Sequence, residues 1–165
     1  MATPYKAKKS GYTYKYAEFT NSNKNFRIYL AYQTSQSTTN NTTTLSMEMG
    51  LYSVTEWAQQ TWSSGGSLKC QMIVGSSTYG VTDSGYDLRS HGIGYHFPSL
   101  SYSKTFNHDN DGTHDSIKLY AYCNTATGQG SSSITVSYTP STIPRASGLS
   151  VATSVTMGGN LKLTI

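Results

Sequence analysis

Apolar residues recur at every second position along much of this chain, the period expected of strands with one buried face. The cleanest run is Phe26, Ile28, Leu30 and Tyr32, alternating with Arg27, Tyr29, Ala31 and Gln33. Leu45, Met47, Met49 and Leu51 define a second buried row, and Leu68, Cys70, Met72 and Val74 a third. Ile117, Leu119, Ala121 and Cys123 alternate with Lys118, Tyr120, Tyr122 and Asn124, and Ser133–Tyr138 repeats the pattern. Nearer the amino end, Tyr12, Tyr14 and Tyr16 alternate with Thr13, Lys15 and Ala17. With the shorter runs the pattern predicts roughly nine to eleven closely spaced strands and almost no helix. Such a chain closes as an all-β, two-sheet antiparallel β-sandwich of jelly-roll or immunoglobulin-like topology.

The intervening segments are punctuated by turn chemistry. Asn107-His108-Asp109-Asn110-Asp111-Gly112 reads as a tight hairpin turn, since Asn, Asp and Gly tolerate positive φ. Thr34–Asn41 reads as a polar surface loop. Thr55–Trp62 reads as a helical turn or two, or as an irregular crossover. Residues 75–95 carry several glycines and read as short strands and loops. Beyond Tyr138, Pro140 and Pro144 each remove a backbone donor and hold the preceding residue extended, which makes a stiff connector.

The domain reading follows: a loose basic arm over 1–10, the sandwich over 11–138, and the connector over 139–148. Residues 149–165 form a strand pair around Gly158-Gly159-Asn160, either a C-terminal extension or the start of a further domain. An isolated two-stranded hairpin is marginal alone, so this pair is expected to add to a sheet edge.

Composition strengthens the strand reading. Only 12% of the 165 residues are charged, while there are 14 tyrosines and 15 glycines. Tyrosine favours strands, and charged helix formers are scarce. The net charge is +4, but Lys6, Lys8 and Lys9 supply much of it and no basic stripe follows. No nucleic-acid partner is therefore expected. There is no apolar run of membrane-spanning length and no signal-peptide core after Met1, so neither membrane insertion nor secretion is expected. Cys70 and Cys123 fall on the buried phase of their strands. They read as reduced buried thiols, or as a disulfide joining the two sheets as in antibody-like sandwiches.

Little here points to catalysis. The acidic residues are few, no Gly-x-Ser-x-Gly elbow occurs, and Glu18 and Glu48 sit singly in strand positions where facing solvent is the default. No enzyme activity is expected. Asn107, Asp109, Asp111 and Asp115 make a weak calcium candidate, with Gly112 at the sixth loop position but Lys118 where a glutamate is needed. A simple turn accounts for the same residues, so the reading assigns no cofactor, with calcium the open alternative. The tyrosine surplus has two readings: cross-strand pairing on solvated faces, or flat surfaces for stacking on sugar rings. For the second, Trp57, Trp62, Tyr79 and Tyr86 are the candidate ligand-binding residues, because they lie in loop-like segments.

Several stretches together resemble a known family. His108-Asp109-Asn110-Asp111-Gly112 is followed by Thr142-Ile143-Pro144-Arg145-Ala146-Ser147. Upstream stand Phe26–Leu30, Ser35-Gln36-Ser37 and Asn41-Thr42-Thr43-Thr44-Leu45-Ser46. Over roughly residues 16–147 this is similar to the minor structural proteins of long-tailed phages of streptococci and other Firmicutes. Asp109, Asp111 and Asp115 make the turn more acidic than in that family. The resemblance implies a virion structural protein of the tail tip or fibre, assembled in the bacterial cytoplasm and contributing to host attachment by binding surface glycans. Its partners would be other virion proteins, a host glycan and further copies of itself, with avidity from multivalency. The alternatives are a purely structural virion part, such as a head decoration, head fibre or spacer, and a cell-wall-binding module of a lytic enzyme.

Overall fold

Each apolar alternation presents one row of side chains that water penalises and a facing sheet can cover. In the computed structural model, which describes residues 8–20, 26–54, 67–84, 96–125 and 130–145, the rows that fall on these residues become strands. They are β1 (Thr13–Glu18), β2 (Phe26–Ser37), β3 (Thr42–Ser53) and β4 (Ser67–Val74), then β5 (Ser77–Ser84), β6 (His96–Asn107), β7 (Ile117–Thr125) and β8 (Ser131–Tyr138). No helix occurs among the described residues. The strands form two four-stranded sheets, sheet 1 in the order β1-β2-β3-β6 and sheet 2 in the order β5-β4-β7-β8. All the pairings are antiparallel. The protein is an all-β sandwich.

One core lies between the sheets. Phe26, Ile28 and Leu30 of β2 and Leu45, Met47, Met49 and Leu51 of β3 pack with Leu68, Met72, Leu119, Ala121 and Ile134 of the opposite sheet. Each large side chain removed from water there contributes about 1.5–3 kcal/mol. The bulge between Met49 and Leu51 falls at Gly50, where the missing side chain tolerates the local irregularity.

Strand order decides between the two expected topologies. The chain passes between sheets from β3 to β4, from β5 to β6 and from β6 to β7, while β3 pairs β6 and β4 pairs β7. That is the pairing of strands B with E and C with F in an immunoglobulin-like sandwich. The sides are closed at two corners. Beside β1 and β8, the Thr20 amide donates to the Ser131 carbonyl at 3.0 Å and the Ser132 hydroxyl to the Glu18 carbonyl at 2.8 Å. Beside β5 and β6, Lys104 Nζ donates to Ser77 Oγ at 2.8 Å.

Several expectations are corrected. Asn107–Gly112 is not a hairpin turn: β6 ends in sheet 1 and β7 starts in sheet 2, so residues 108–116 carry the chain across the sandwich. The polar stretch 34–41 is mostly strand, with β2 continuing to Ser37 opposite Thr42. The loop is reduced to 38–41, ending at Asn41 with φ 53°. The tight hairpin turn sits instead between β4 and β5, where Gly75 with φ +62° suits the first central position of a type II′ turn. Eight strands are described; the segment 55–62, residues 85–95 and the expected strand pair over 149–165 lie outside the described residues.

Cys70 and Cys123 form a disulfide, which rules out the reduced-thiol reading. It does not join the sheets either. The two residues face each other on the adjacent strands β4 and β7, with Cα atoms 4.2 Å apart, the spacing of a non-hydrogen-bonded antiparallel pair. The base of the amino-terminal arm is also tied down. The Lys9 amide donates to the Tyr14 hydroxyl at 2.9 Å, and Lys9 Nζ forms an ion pair with Glu48.

Candidate functional site

Two polar constellations stand out. The first is a knot at the end of the sandwich where β2, β3, the 108–116 crossover and the connector meet. His108 is 7% exposed and Thr43 fully buried, so their polar atoms need partners within the protein. His108 Nδ1 lies 2.7 Å from the Gly112 carbonyl oxygen, which can only accept, so Nδ1 carries the proton. In the neutral ring Nε2 then accepts from the Thr43 hydroxyl at 2.7 Å. That hydroxyl in turn accepts from Gln36 Nε2 at 3.2 Å.

The same Gln36 Nε2 also donates to the Ser141 carbonyl at 2.6 Å. Asn41 clamps the far side, its Nδ2 donating to the carbonyls of His108 at 3.0 Å and Asp109 at 2.8 Å. The Ile143 amide donates to the Gly112 carbonyl at 2.9 Å, and the Ile143 side chain is buried. The connector is thus docked on the sandwich at Ser141 and Ile143, while Thr142, Pro144 and Arg145 stay exposed.

Within this knot Asp111 caps its own loop. Its Oδ1 accepts from the Thr113 amide at 2.9 Å and from the Thr113 hydroxyl at 2.7 Å. The side-chain and then the backbone hydrogen bond from Thr113 hold the Asp111 carboxyl below its ordinary pKa. No group of three or more metal-ligating side chains is assembled among the described residues. Of the calcium candidates Asn107, Asp109, Asp111 and Asp115, Asp111 serves the loop through Thr113.

The second constellation is a groove of about 550 Å³ on the outer face of sheet 1, where β3 and β6 run side by side. Directly paired residues of an antiparallel ladder share a face. Glu48 is paired with Ser101 and Ser46 with Ser103, and all four line the groove with Lys9 and Tyr12. The Ser46 and Ser103 hydroxyls are 3.0 Å apart, and the next rung repeats the arrangement with Thr44 and Thr105 at 2.9 Å. Glu48, expected to face solvent singly, is buried, with a side chain 5% exposed against 47% for its partner Lys9. The hydrogen bond to Glu48 raises the Lys9 pKa above its ordinary value.

The tyrosines mostly pair with one another. On the outer face of sheet 1, Tyr29 and Tyr52 are buried beside Tyr12 and Tyr14, and Tyr16 meets Tyr52 edge-on at 6.4 Å between ring centroids. Burial raises the Tyr52 hydroxyl pKa despite the neighbouring Arg27, and likewise that of Tyr16. Arg27 is paired with Glu18 at 2.8 Å. On sheet 2, Tyr120 and Tyr122 stack at 6.4 Å.

Of the residues expected to bind a ligand, Trp57, Trp62 and Tyr86 lie outside the described residues. Tyr79 lies on β5, and its ring stacks on Tyr102 of the other sheet at 3.7 Å between centroids. A hydrogen bond from this contact raises the Tyr102 pKa. Tyr79 is thus engaged in holding β5 against β6. The residues missed from sequence, Lys9, Tyr12, Ser46, Glu48 and Ser103, gave one readable signal: Ser46 and Glu48 share a phase, as do Ser101 and Ser103. Their alignment depends on strand pairing, which no local pattern supplies. No family model, curated protein or solved structure matches the chain.

Proposed function

We propose that this chain is a phage virion structural protein of the tail tip or fibre that contributes to host-cell attachment by binding surface glycans. One observation carries the reading. The scattered stretches that resemble phage minor structural proteins, Ser35–Ser37, Asn41–Ser46, His108–Gly112 and Ile143–Arg145, come together in a single hydrogen-bonded knot. Such a domain works in several copies beside other virion proteins, where avidity replaces single-site affinity.

Immunogold labelling of intact virions with antibody raised against the chain tests this. Label at the tail extremity, with loss of host adsorption on antibody addition, is the expected result. Label on the head would replace the tail reading by the head-decoration or head-fibre alternative. Tail label without loss of adsorption would leave a spacer with no part in attachment.

A further inference from the structure

We propose that the groove between β3 and β6 on the outer face of sheet 1 binds a neutral saccharide. The proposal rests on the groove alone and does not require the virion reading. The volume, about 550 Å³, is in the range of small-molecule clefts, roughly 300–1,000 Å³. It is not lined as a typical apolar cleft is. Its walls carry the hydroxyls of Ser46, Ser101 and Ser103, the Glu48 carboxylate, the Lys9 ammonium and the Tyr12 ring.

Each feature narrows the ligand. A serine hydroxyl offers one donor and two acceptor positions. The Ser46–Ser103 contact uses one donor and one acceptor between them, leaving capacity of both kinds for a ligand that also presents both kinds. Vicinal hydroxyls of a sugar do so, whereas a phosphate only accepts and an alkylammonium only donates. The Lys9 and Glu48 charges cancel within the groove. An anionic ligand would be drawn to Lys9 but repelled by Glu48, and a cationic one the reverse, so net charge earns no affinity. The ammonium has three donors and sits at the rim, with its side chain 47% exposed, so it can serve the ion pair and a sugar oxygen together. Tyr12 beside it, 5.4 Å from Lys9 Nζ to ring centroid, supplies the flat apolar wall that a pyranose face packs on.

The test is a titration of the full chain followed by amide chemical shifts. The probes are galactose, N-acetylglucosamine and rhamnose, with glucuronic acid and glucosamine as charged counterparts. Shallow sites of this kind leave affinities on the order of a millimolar after ordering costs, so each probe is taken to about 50 mM. At least one neutral sugar should shift the amides of Ser46, Glu48, Ser101 and Ser103, and bind at least about tenfold more tightly than the charged probes. Ser103→Val suits an edge strand and fills the groove, so it should weaken that binding by about fivefold or more while the melting temperature holds. Tyr12→Ala should weaken it similarly. The proposal is overturned if no neutral sugar shifts these amides, if a charged probe binds as well, or if folded Ser103→Val binds unchanged. Immunogold label at the tail with no sugar binding would reject this site and leave the virion reading standing.

Discussion

The carbonyl of Ile143 occupies the space that a side chain on Gly112 would need. A Cβ placed on Gly112 would overlap the Ile143 carbonyl oxygen and lie 3.0 Å from its carbon. In the other direction the Ile143 amide donates to the Gly112 carbonyl at 2.9 Å. The crossover and the exit connector are thereby joined backbone to backbone, with the left-handed φ of +83° at Gly112 as the condition.

Gly112→Ala should therefore cost more than its φ alone. A left-handed L-residue costs about 1–2 kcal/mol, and displacing Ile143 forfeits a hydrogen bond and a buried side chain, roughly 1–3 kcal/mol more. Gly11→Ala supplies the control, because Gly11 has φ +80° but only the Gln33 side-chain oxygen nearby at 3.5 Å. Urea unfolding should show Gly112→Ala to be the more damaging by at least about 1 kcal/mol. Equal losses would mean that the connector does not dock as described.

The knot depends on the Thr43 hydroxyl as a relay between Gln36 and His108. Thr43→Val keeps the strand shape but leaves buried His108 Nε2 without its donor, which should cost about 1–3 kcal/mol. A cycle with Gln36→Ala should show coupling of about 0.5 kcal/mol or more. Strict additivity would dissolve the network into independent contacts.

Asp111 gives the knot a pH dependence. Hydrogen bonds from Thr113 place its folded-state pKa below the ordinary 3.8. Its contribution is therefore complete above that ordinary value and is lost as pH falls through the folded one. Melting temperatures of the native chain and Asp111→Ala should differ near neutrality and converge as the pH is lowered towards about 2. A gap that persists unchanged at low pH would place the effect of Asp111 elsewhere.

The Cys70–Cys123 bond closes a loop with a sequence separation of 53. Loop-closure entropy for that length stabilises the folded state by about 4 kcal/mol. Replacing both cysteines by alanine should remove about 2–4 kcal/mol in urea unfolding. Because both residues are fully buried, a mild reductant should act on the native protein only slowly. Rapid reduction without unfolding would contradict that burial.

Local pattern determined the strands. Rows such as Phe26, Ile28, Leu30 and Leu45, Met47, Met49 carry their own period and go to the core wherever the sheet lies, because burial of one face is a property of the strand itself. Tertiary structure alone decided which strands became neighbours. It sent Asn107–Gly112 across the sandwich instead of around a hairpin, and set Cys70 against Cys123 within one sheet. It also buried Glu48 under Lys9 and engaged Tyr79 with Tyr102. The partners in the knot and in the groove are far apart in sequence, as Thr43 and His108 are at 65 residues. Their meeting is fixed by strand register, which arises from the packing of both sheets together and leaves no trace in any one segment.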